Sequence, residues 1–360
     1  MRTAVVILNW NTKEFLERFL PCLSASMPEG AEVVVADNGS TDGSVEVMRE
    51  KFPDIKLICF DKNYGFTGGY NRAFKALSEM SDGSDMEYFV LINSDIEVPE
   101  GWLEPLVSWM DTHPDCAACA PKLHSWQDKD SFEYAGAAGG LLDKFGYPFC
   151  RGRVLKRLEK DHGQYDTPSK VFWATGACLM VRASDYGNMG GLDERFFAHM
   201  EEIDLCWRLQ LEGKSIFVVP QSVVYHVGGG TLPNDSPWKL KLNYRNNLLM
   251  LGNNLAKTYA LKGTPQKALR KARRTIFLRK CLDGCSAIVY LLTGSLARFK
   301  AVIEAHIEYR RMVSGTEIVD IQEYLESHKG ITPPVLFPRW IVFLAMMKGN
   351  GIFAYLRKKI

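Results

Sequence analysis

The sequence predicts an α/β protein with a Rossmann-like, mostly parallel sheet flanked by helices, followed by a basic helical C-terminal region. Two observations lead to this prediction. In the first hundred residues, apolar runs typical of strands alternate with segments of helical spacing, and after residue 254 the chain becomes basic and helical in pattern. A length of 360 residues suits one large domain with an appendage. Hydrophobic residues at 46% and charged residues at 24% exclude wholesale disorder.

Four strands and three helices are predicted in alternation. The strands are TAVVILNW, AEVVVADNG, IKLICF and YFVLIN, and the helices cover 12–25, 44–51 and 69–80. Helices between consecutive strands are typical of βαβ units, in which the strands are parallel. Such sheets bind their ligands at the carboxyl ends of the strands.

Polar side chains follow each predicted strand at its carboxyl end. Asp37 closes the apolar run VVVA, where its carboxylate can accept a hydrogen bond from a nucleobase or a ribose hydroxyl. Asp95 follows a buried strand, and hard cations such as Mg²⁺ or Mn²⁺ take carboxylate ligands beside a diphosphate. For each motif taken alone, turn and helix-cap chemistry is the alternative. Together these residues predict a nucleotide cleft: Asn9, Asn11, Asp37, Asn63, Asn93 and Asp95.

An acidic cluster and a histidine are further candidates. Glu201, Glu202 and Asp204 lie within four residues, so like charges should raise at least one carboxyl pKa. A raised pKa suits a general base that works near neutrality, although acids at a helix N-terminus are the plainer interpretation. His226 ends an apolar run before three glycines, which is compatible with a metal ligand or with a structural histidine.

In this order, the motifs resemble those of the inverting family-2 glycosyltransferases with a GT-A fold, the fold of nucleotide-diphospho-sugar transferases. The bacterial rhamnosyltransferase-like branch is the most similar, and the resemblance runs from about Ala4 to about Leu251. It implies an enzyme that moves a sugar from a nucleotide-diphosphate sugar, dTDP-rhamnose-like or a UDP-hexose, with inversion. The implied acceptor is a hydroxyl of a saccharide or lipid-linked saccharide in cell-surface polysaccharide synthesis.

The resemblance also implies roles for individual residues. Asp95 stands at the last position of the family's D-x-D motif, and Asp95 and His226 would hold a divalent metal, Mg²⁺ or Mn²⁺. Glu202 occupies the position of the catalytic base, as Glu rather than Asp, with Glu201 and Asp204 as substitutes. The donor would be bound by Asn9, Asn11, Asp37, Asn63, Gly68, Gly69, Asn71, Asn93 and Ser94.

The charge is divided unevenly along the chain. Residues 255–360 contain 19 Lys and Arg against 7 Asp and Glu, a net charge of +12, whereas residues 1–254 carry −10. We therefore divide the chain into a GT-A domain, 1–254, and a basic helical region, 255–360. We expect a cytoplasmic protein whose basic region contacts the inner face of the membrane or a second copy, with no nucleic-acid partner. No apolar run reaches the length of a membrane span.

Two rival functions stay open at the level of the sequence. A sugar-phosphate nucleotidyltransferase would share the fold, but it should carry a basic glycine-rich loop near its N-terminus, which VVILNWNTKEF lacks. A catalytically inactive nucleotide-sugar binding module would suit Asn93 and Glu202, which depart from the family pattern, although Asp95 and His226 are present.

Overall fold

The computed structural model describes residues 2–80, 86–228, 236–313 and 318–360, and it confirms the predicted alternation in the N-terminal half. Helix α3 begins four residues earlier than predicted. The N–H groups of Phe66 and Thr67 donate to the carbonyl of Phe197 at 2.7 and 3.2 Å, so a distant loop supports the first turn of this helix. The elements are β1 (Thr3–Asn9), α1 (Lys13–Ala25), β2 (Ala31–Asp37), α2 (Ser44–Lys51), β3 (Lys56–Cys59), α3 (Gly65–Met80) and β4 (Tyr88–Ile92).

The chain continues with shorter strands and then with helices alone. The strands are β5 (Ile96–Glu97), β6 (Cys116–Ser125), β7 (Gly140–Leu142), β8 (Pro148–Cys150), β9 (Arg153–Val154), β10 (Arg157–Leu158), β11 (Ser169–Lys170), β12 (Cys178–Arg182) and β13 (Ser215–His226). The helices are α4 (Glu104–Thr112), α5 (Ala183–Asn188), α6 (Glu201–Leu211), α7 (Pro237–Ala260), α8 (Pro265–Leu292), α9 (Leu296–Met312), α10 (Ile318–Ser327), α11 (Ile341–Lys348) and α12 (Ile352–Leu356), with 3₁₀ turns at Glu194–Phe196 and Gly349–Gly351.

The main sheet has a parallel half and a mixed half. Its order is β11-β13-β6-β12-β4-β1-β2-β3, with β5 paired to β13. Strands β3, β2, β1 and β4 are parallel, as predicted from their connecting helices. Strand β12 is antiparallel to both β4 and β6, while β13 is parallel to β6. Strands β7 to β10 form a separate small antiparallel sheet.

Helices cover both faces of the main sheet because successive side chains of a buried strand point to opposite sides. In β1, Val5 and Ile7 belong to the core that also contains Leu16 and Leu20 of α1. Ala4 and Val6 face the core formed with α3, α6 and α7. This second core requires close contact at Gly69, where an added Cβ would lie 2.6 Å from the side chain of Leu8.

The predicted helical C-terminal region is confirmed. Helix α7 packs against α6, α8 and α9, so the region is joined to the helix whose first turn contains the acidic cluster. The boundary predicted between residues 254 and 255 falls inside α7, which therefore contributes to both parts. Within the described ranges, no helix combines the length and hydrophobicity needed to cross a bilayer.

Candidate active site

A hydrogen-bond network joins the carboxyl ends of β1, β2 and β4. Parallel pairing places Asn9 opposite Asp37. The amide nitrogen of Asn9 donates to Asp37 Oδ2 at 2.8 Å and to Ser40 Oγ at 3.0 Å, and Thr12 Oγ1 donates to Asn9 Oδ1 at 2.6 Å. Thr12 Oγ1 also lies 2.8 Å from Ser94 Oγ. Three of the predicted donor residues, Asn9, Asp37 and Ser94, are thus brought into one buried group.

Asp37 keeps capacity for a ligand within this group. Its Oδ1 accepts from the Ser40 N–H at 2.9 Å, and an ionised carboxylate can accept about four hydrogen bonds. The amide protons of Asn9 are both used, so Asn9 positions Asp37. Asn11 lies at the exposed edge, where its side chain accepts from the Thr41 N–H at 2.7 Å and its backbone has φ 53°.

The segment at the start of α3 is held to the same edge by amides. Asn63 Oδ1 accepts from the Gly65 N–H at 2.7 Å and from the side chain of Asn38 at 3.1 Å. Asn38 also donates to the Gly65 carbonyl at 3.0 Å. Gly68 and Gly69 lie in the first two turns of α3, where Gly69 allows the close approach to β1 described above.

Asn71 is placed apart from the strand-end network. Its Oδ1 accepts from the Tyr186 hydroxyl at 2.6 Å and the Leu192 N–H at 2.9 Å, and its Nδ2 donates to the Leu192 carbonyl at 2.8 Å. These contacts fix the glycine-containing loop that precedes the acidic cluster. An added Cβ at Gly191 would lie 2.4 Å from Asn71 Oδ1.

Asp95 and His226 are brought together by the pairing of β5 with β13. Asp95 Oδ1 lies 3.1 Å from His226 Nε2, and Asn93 Nδ2 lies 3.3 Å from the same nitrogen. Glu133 Oε2 lies 3.2 Å from His226 Nδ1. Burial opposes the charged imidazole, but Asp95 and Glu133 outweigh it and raise the pKa of His226 to about 10. Burial alone would raise the pKa of Asp95, but the hydrogen bond from His226, the charge of that imidazole and backbone hydrogen bonds together outweigh burial, and the net result is a lowered pKa.

A carboxylate and an imidazole are both ligands of divalent cations, and Asp95 and His226 offer one of each. Asp95 Oδ1 and His226 Nε2 are 3.1 Å apart and hydrogen-bonded to each other, so an ion would have to replace the proton on Nε2. Over the described parts of the chain, no three His, Cys, Asp or Glu side chains converge in the manner of a complete metal site. An ion here would therefore need further ligands from a bound phosphate or water. Gly229 and Gly230 lie outside the described residues.

The loop before α6 has an unusual backbone. Phe197, His199 and Met200 have φ values of 64°, 71° and 72°, a region that costs non-glycine residues about 1–3 kcal/mol each. Helix α7 holds the loop in place. The Asn246 amide donates to the carbonyls of Phe196, Ala198 and His199 at 2.9, 2.8 and 2.8 Å. The Arg245 guanidinium donates to the carbonyls of Arg195 and Phe196.

The three acidic residues of the cluster have different surroundings. Asp204 is fully buried and its oxygens accept from Arg208, Asn253 and Asn254, which suits a structural role. Glu202 is partly exposed and Glu201 is buried, and in both residues Oε2 is buried without a hydrogen-bond partner among the described residues. Burial raises the pKa of Glu202 to about 7. Burial also raises the pKa of Glu201 well above its usual value, and the charge of Glu202 adds to this effect.

Glu202 lies beside two other segments of the chain. A Cβ added at Gly176 would come within 3.6 Å of the Glu202 side chain and 3.3 Å of Phe66. The start of α3, the loop before β12 and the start of α6 therefore meet at Glu202.

Several residues of the site were not singled out in the sequence. Glu133 lies in an irregular region whose pairing no periodicity reveals. Asn246 was detectable, because Arg-Asn-Asn inside the otherwise apolar helix pattern of residues 242–251 indicates buried polar contacts. The others are small polar residues that complete the strand-end network: Thr12, Asn38 and Ser40.

Comparison with known proteins agrees with this geometry. Residues 4–186 match the family Glycosyl transferase family 2. The N-acetylglucosaminyl-diphospho-decaprenol L-rhamnosyltransferase of Mycobacterium tuberculosis is 28% identical over 258 residues, covering 69% of this chain and 83% of the relative. Rhamnosyltransferase WbbL of Escherichia coli is 24% identical over 247 residues, covering 67% and 90%.

A solved structure shows the same fold. The crystal structure of GalNAc-T7 with UDP, GalNAc and Mn²⁺ aligns with a TM-score of 0.51 at 15% identity, over 70% of this chain and 47% of that one. The predicted fold class and the predicted family are confirmed by these matches.

Proposed function

Because the chain belongs to glycosyl transferase family 2 and is a glycosyltransferase, we propose that it transfers a sugar with inversion and that Glu202 is its catalytic base. One observation supports this assignment above the others. Among the described residues of the cluster, Glu202 combines partial exposure with a pKa of about 7, and it shares with Glu201 a buried Oε2 that has no hydrogen-bond partner. A base with such a pKa can be ionised and still accept a proton near neutral pH.

The reaction is a single displacement. Glu202 removes the proton of an acceptor hydroxyl, and that oxygen forms a bond to the anomeric carbon of the donor sugar. The bond between the anomeric carbon and the diphosphate oxygen breaks on the opposite side, and its electron pair leaves with the nucleoside diphosphate. One displacement inverts the anomeric configuration, and no covalent intermediate with the protein is needed.

The donor is assigned to the strand-end network. Asp37 accepts hydrogen bonds from the nucleoside, while Asn9, Asn63 and Ser94 hold the surrounding backbone in position. Asn71 contributes by fixing the loop at Leu192. We propose a dTDP-rhamnose-like donor, with a UDP-hexose as the alternative, because the relatives in Mycobacterium tuberculosis and Escherichia coli are rhamnosyltransferases.

Asp95 and His226 would hold a Mg²⁺ or Mn²⁺ ion, which neutralises charge on the diphosphate when bound. The position of a carboxylate beside an imidazole supports this assignment, and binding of the ion would displace the proton that the two groups share. Glu133 contacts Nδ1, the ring nitrogen that would not ligate the ion, and keeps the imidazole oriented, whereas Asn93 Nδ2 lies 3.3 Å from Nε2 itself. Because the protein would supply only two ligands, the diphosphate of the sugar donor would complete the coordination, and we expect the cation and the sugar donor to bind together.

The acceptor is proposed to be a saccharide, carried on a lipid. Two exposed aromatic rings, Phe197 and Trp238, lie 6.4 Å apart at the loop before α6, and sugars stack on such surfaces. The relative from Mycobacterium tuberculosis acts on a diphospho-decaprenol, as its name states. A lipid-linked acceptor would make the enzyme peripheral to the inner face of the membrane.

A thermal-shift screen tests the donor assignment. The protein is heated with dTDP, UDP and GDP, and with their sugars, in the presence and absence of Mn²⁺ or Mg²⁺. Binding to the folded state alone raises the midpoint. We expect a cation-dependent shift with one nucleotide, lost in Asp95→Ala, and turnover that is lost in Glu202→Gln. A shift without any turnover would favour an inactive binding module, and no shift at all would contradict the donor site.

A further inference from the structure

The outer face of α8 is divided into a basic half and an apolar half. The inner face packs on the protein through a regular stripe: Ala268, Ala272, Thr275, Arg279, Asp283 and Ala287. The opposite face begins with exposed cations: Lys267, Arg270, Lys271, Arg273 and Arg274. It continues with exposed large apolar side chains: Phe277, Leu278, Ile288, Val289, Leu291 and Leu292. Asp283, the acidic residue of α8, faces inward.

The apolar half is large for a surface facing water. Phe277 is 65% exposed, Ile288 56% and Leu292 80%. From Phe277 to Leu292 the helix runs for about 22 Å. The surface continues past the turn at 293–295 to Leu296 at the start of α9, which is 58% exposed. Contiguous exposed apolar surface of this kind marks an interaction site.

We infer that this face, the α8 docking face, binds the surface of a bilayer containing anionic phospholipids. The arrangement of charge selects this partner. A helix that lies in a membrane interface places apolar side chains among the acyl chains and cations among anionic headgroups. A nucleic acid would match the basic half but would leave the apolar half against water.

The groove between α8 and α9 agrees with a lipid partner. It is open, has a volume of about 260 Å³, and has apolar walls that include Ala287, Ile303 and Ile307. Lys280 and Arg310 provide cations along its lining. Apolar walls with cationic groups match the two parts of an anionic amphiphile.

Membrane binding by the α8 docking face would give the enzyme access to a lipid-linked acceptor. This use of the face rests on the proposed function, whereas the binding itself does not. Helix α7 packs against α8 and also holds the loop before Glu202. A docked α8 would therefore keep the active site at a fixed distance from the membrane.

Vesicle binding tests the inference with the full chain. The protein is sedimented with vesicles of phosphatidylcholine, alone or mixed with phosphatidylglycerol, at low and high salt. Ile288→Ser with Leu292→Ser removes part of the apolar half, and Arg270→Gln with Arg274→Gln removes part of the basic half. All four side chains are exposed, so the fold should be unaffected. Matched controls lie elsewhere on the surface: Val335→Ser, and Lys56→Gln with Lys75→Gln.

The two halves should respond differently. The apolar pair should weaken binding at least about tenfold on both vesicle types. The basic pair should weaken binding about thirtyfold on anionic vesicles and little on phosphatidylcholine alone. High salt should abolish the second effect and leave the first. The controls should bind as the wild type does.

Two results would overturn the inference. One is vesicle binding by the apolar pair that equals that of the wild type. The other is a wild-type dimer that the apolar pair converts to a monomer with no change in vesicle binding, which would assign the face to a second copy. Nucleotide-induced thermal shifts of the same variants, measured without lipid, report the donor site independently. Failure of the proposed function is thereby separated from failure of membrane binding.

Discussion

The strand-end network and the loop before α6 differ in how their polar groups are hydrogen-bonded. At the strand ends, Asn9, Asp37 and Asp95 all have partners, and the backbone follows from a regular parallel sheet. In the loop, three non-glycine residues have positive φ, and at the start of α6 the Oε2 atoms of Glu201 and Glu202 have no partner among the described residues. The first region suits the binding of a ligand of defined shape, whereas the second keeps a carboxylate reactive at a cost in stability.

Glu202→Gln should produce the largest change. We expect kcat to fall about 10²–10⁴-fold, because a positioned general base typically contributes that much. Nucleotide binding should stay unchanged, since Glu202 belongs to the loop region. Initial rates and thermal shifts on the same preparation measure both, with Glu212→Gln, an exposed Glu just past the end of α6, as the matched control. Full activity of Glu202→Gln would show that Glu202 is not the base, and the proposed division into a binding region and a catalytic region would fail.

Asn246→Ala should release the loop. The variant loses the three contacts that the buried amide nitrogen makes to the loop carbonyls and the hydrogen bond that Oδ1 accepts from Arg245 Nε, so the free energy of unfolding should fall by about 2–4 kcal/mol. Urea unfolding measures this loss, and kcat should decrease with it because Glu202 is no longer fixed. Asn243→Ala on the same helix is the control, since Asn243 donates only within its own helix, to the Lys239 carbonyl. Equal effects of both variants would show that the loop does not depend on Asn246.

Asp95→Asn should affect binding rather than the base. We expect the affinity for a nucleotide with Mn²⁺ to fall about 10–100-fold. The pKa of His226 should also drop from about 10, because Asp95 is a main cause of its rise. Calorimetry and NMR titration measure the two effects, with the exposed Asp54→Asn as the control. Unchanged nucleotide affinity alongside a lowered His226 pKa would assign the pair a structural role.

Glu201→Gln should stabilise the protein at alkaline pH. The pKa of Glu201 is higher in the folded than in the unfolded chain. Between these two pKa values the folded state binds more protons, so the stability of the protein falls as the pH rises from the unfolded to the folded value. The amide removes this penalty, and we expect the variant to be more stable than the wild type at pH 8. Urea unfolding at pH 8 and at pH 4, where no gain is expected, checks the sign. A loss of stability at pH 8 would contradict it.

The pH dependence of the wild type sharpens the same comparison. With a pKa of about 7, Glu202 loses its basic form on acidification, so kcat/KM for the acceptor should fall about tenfold per pH unit below neutrality. The apparent pKa belongs to the pair of Glu201 and Glu202, since their charges interact. Nucleotide affinity over the same range is the internal control. A flat profile through neutrality would exclude Glu202 as the base.

The sequence alone determined the parallel half of the fold. Apolar runs and helical spacing are local properties, so the first four strands and the helices between them were predictable within a few residues. Asn9 and Asp37 followed as a pair because parallel strands bring their carboxyl ends to one edge, whereas Ser94 was implied by the family resemblance. The start of α3 was predicted four residues too late, because its first turn depends on the carbonyl of Phe197, far along the chain.

Tertiary structure decided which site residues contact one another and which carboxyl groups have shifted pKa values. Pairing of β5 with β13 placed Asp95 beside His226, and no local pattern predicts a pairing across that separation. The roles of Glu201, Glu202 and Asp204 could not be separated in the sequence, because they differ only in burial and in the partners that α6 and α7 supply. Burial and long-range hydrogen bonds set the pKa of a carboxylate, and both exist only once the chain has folded.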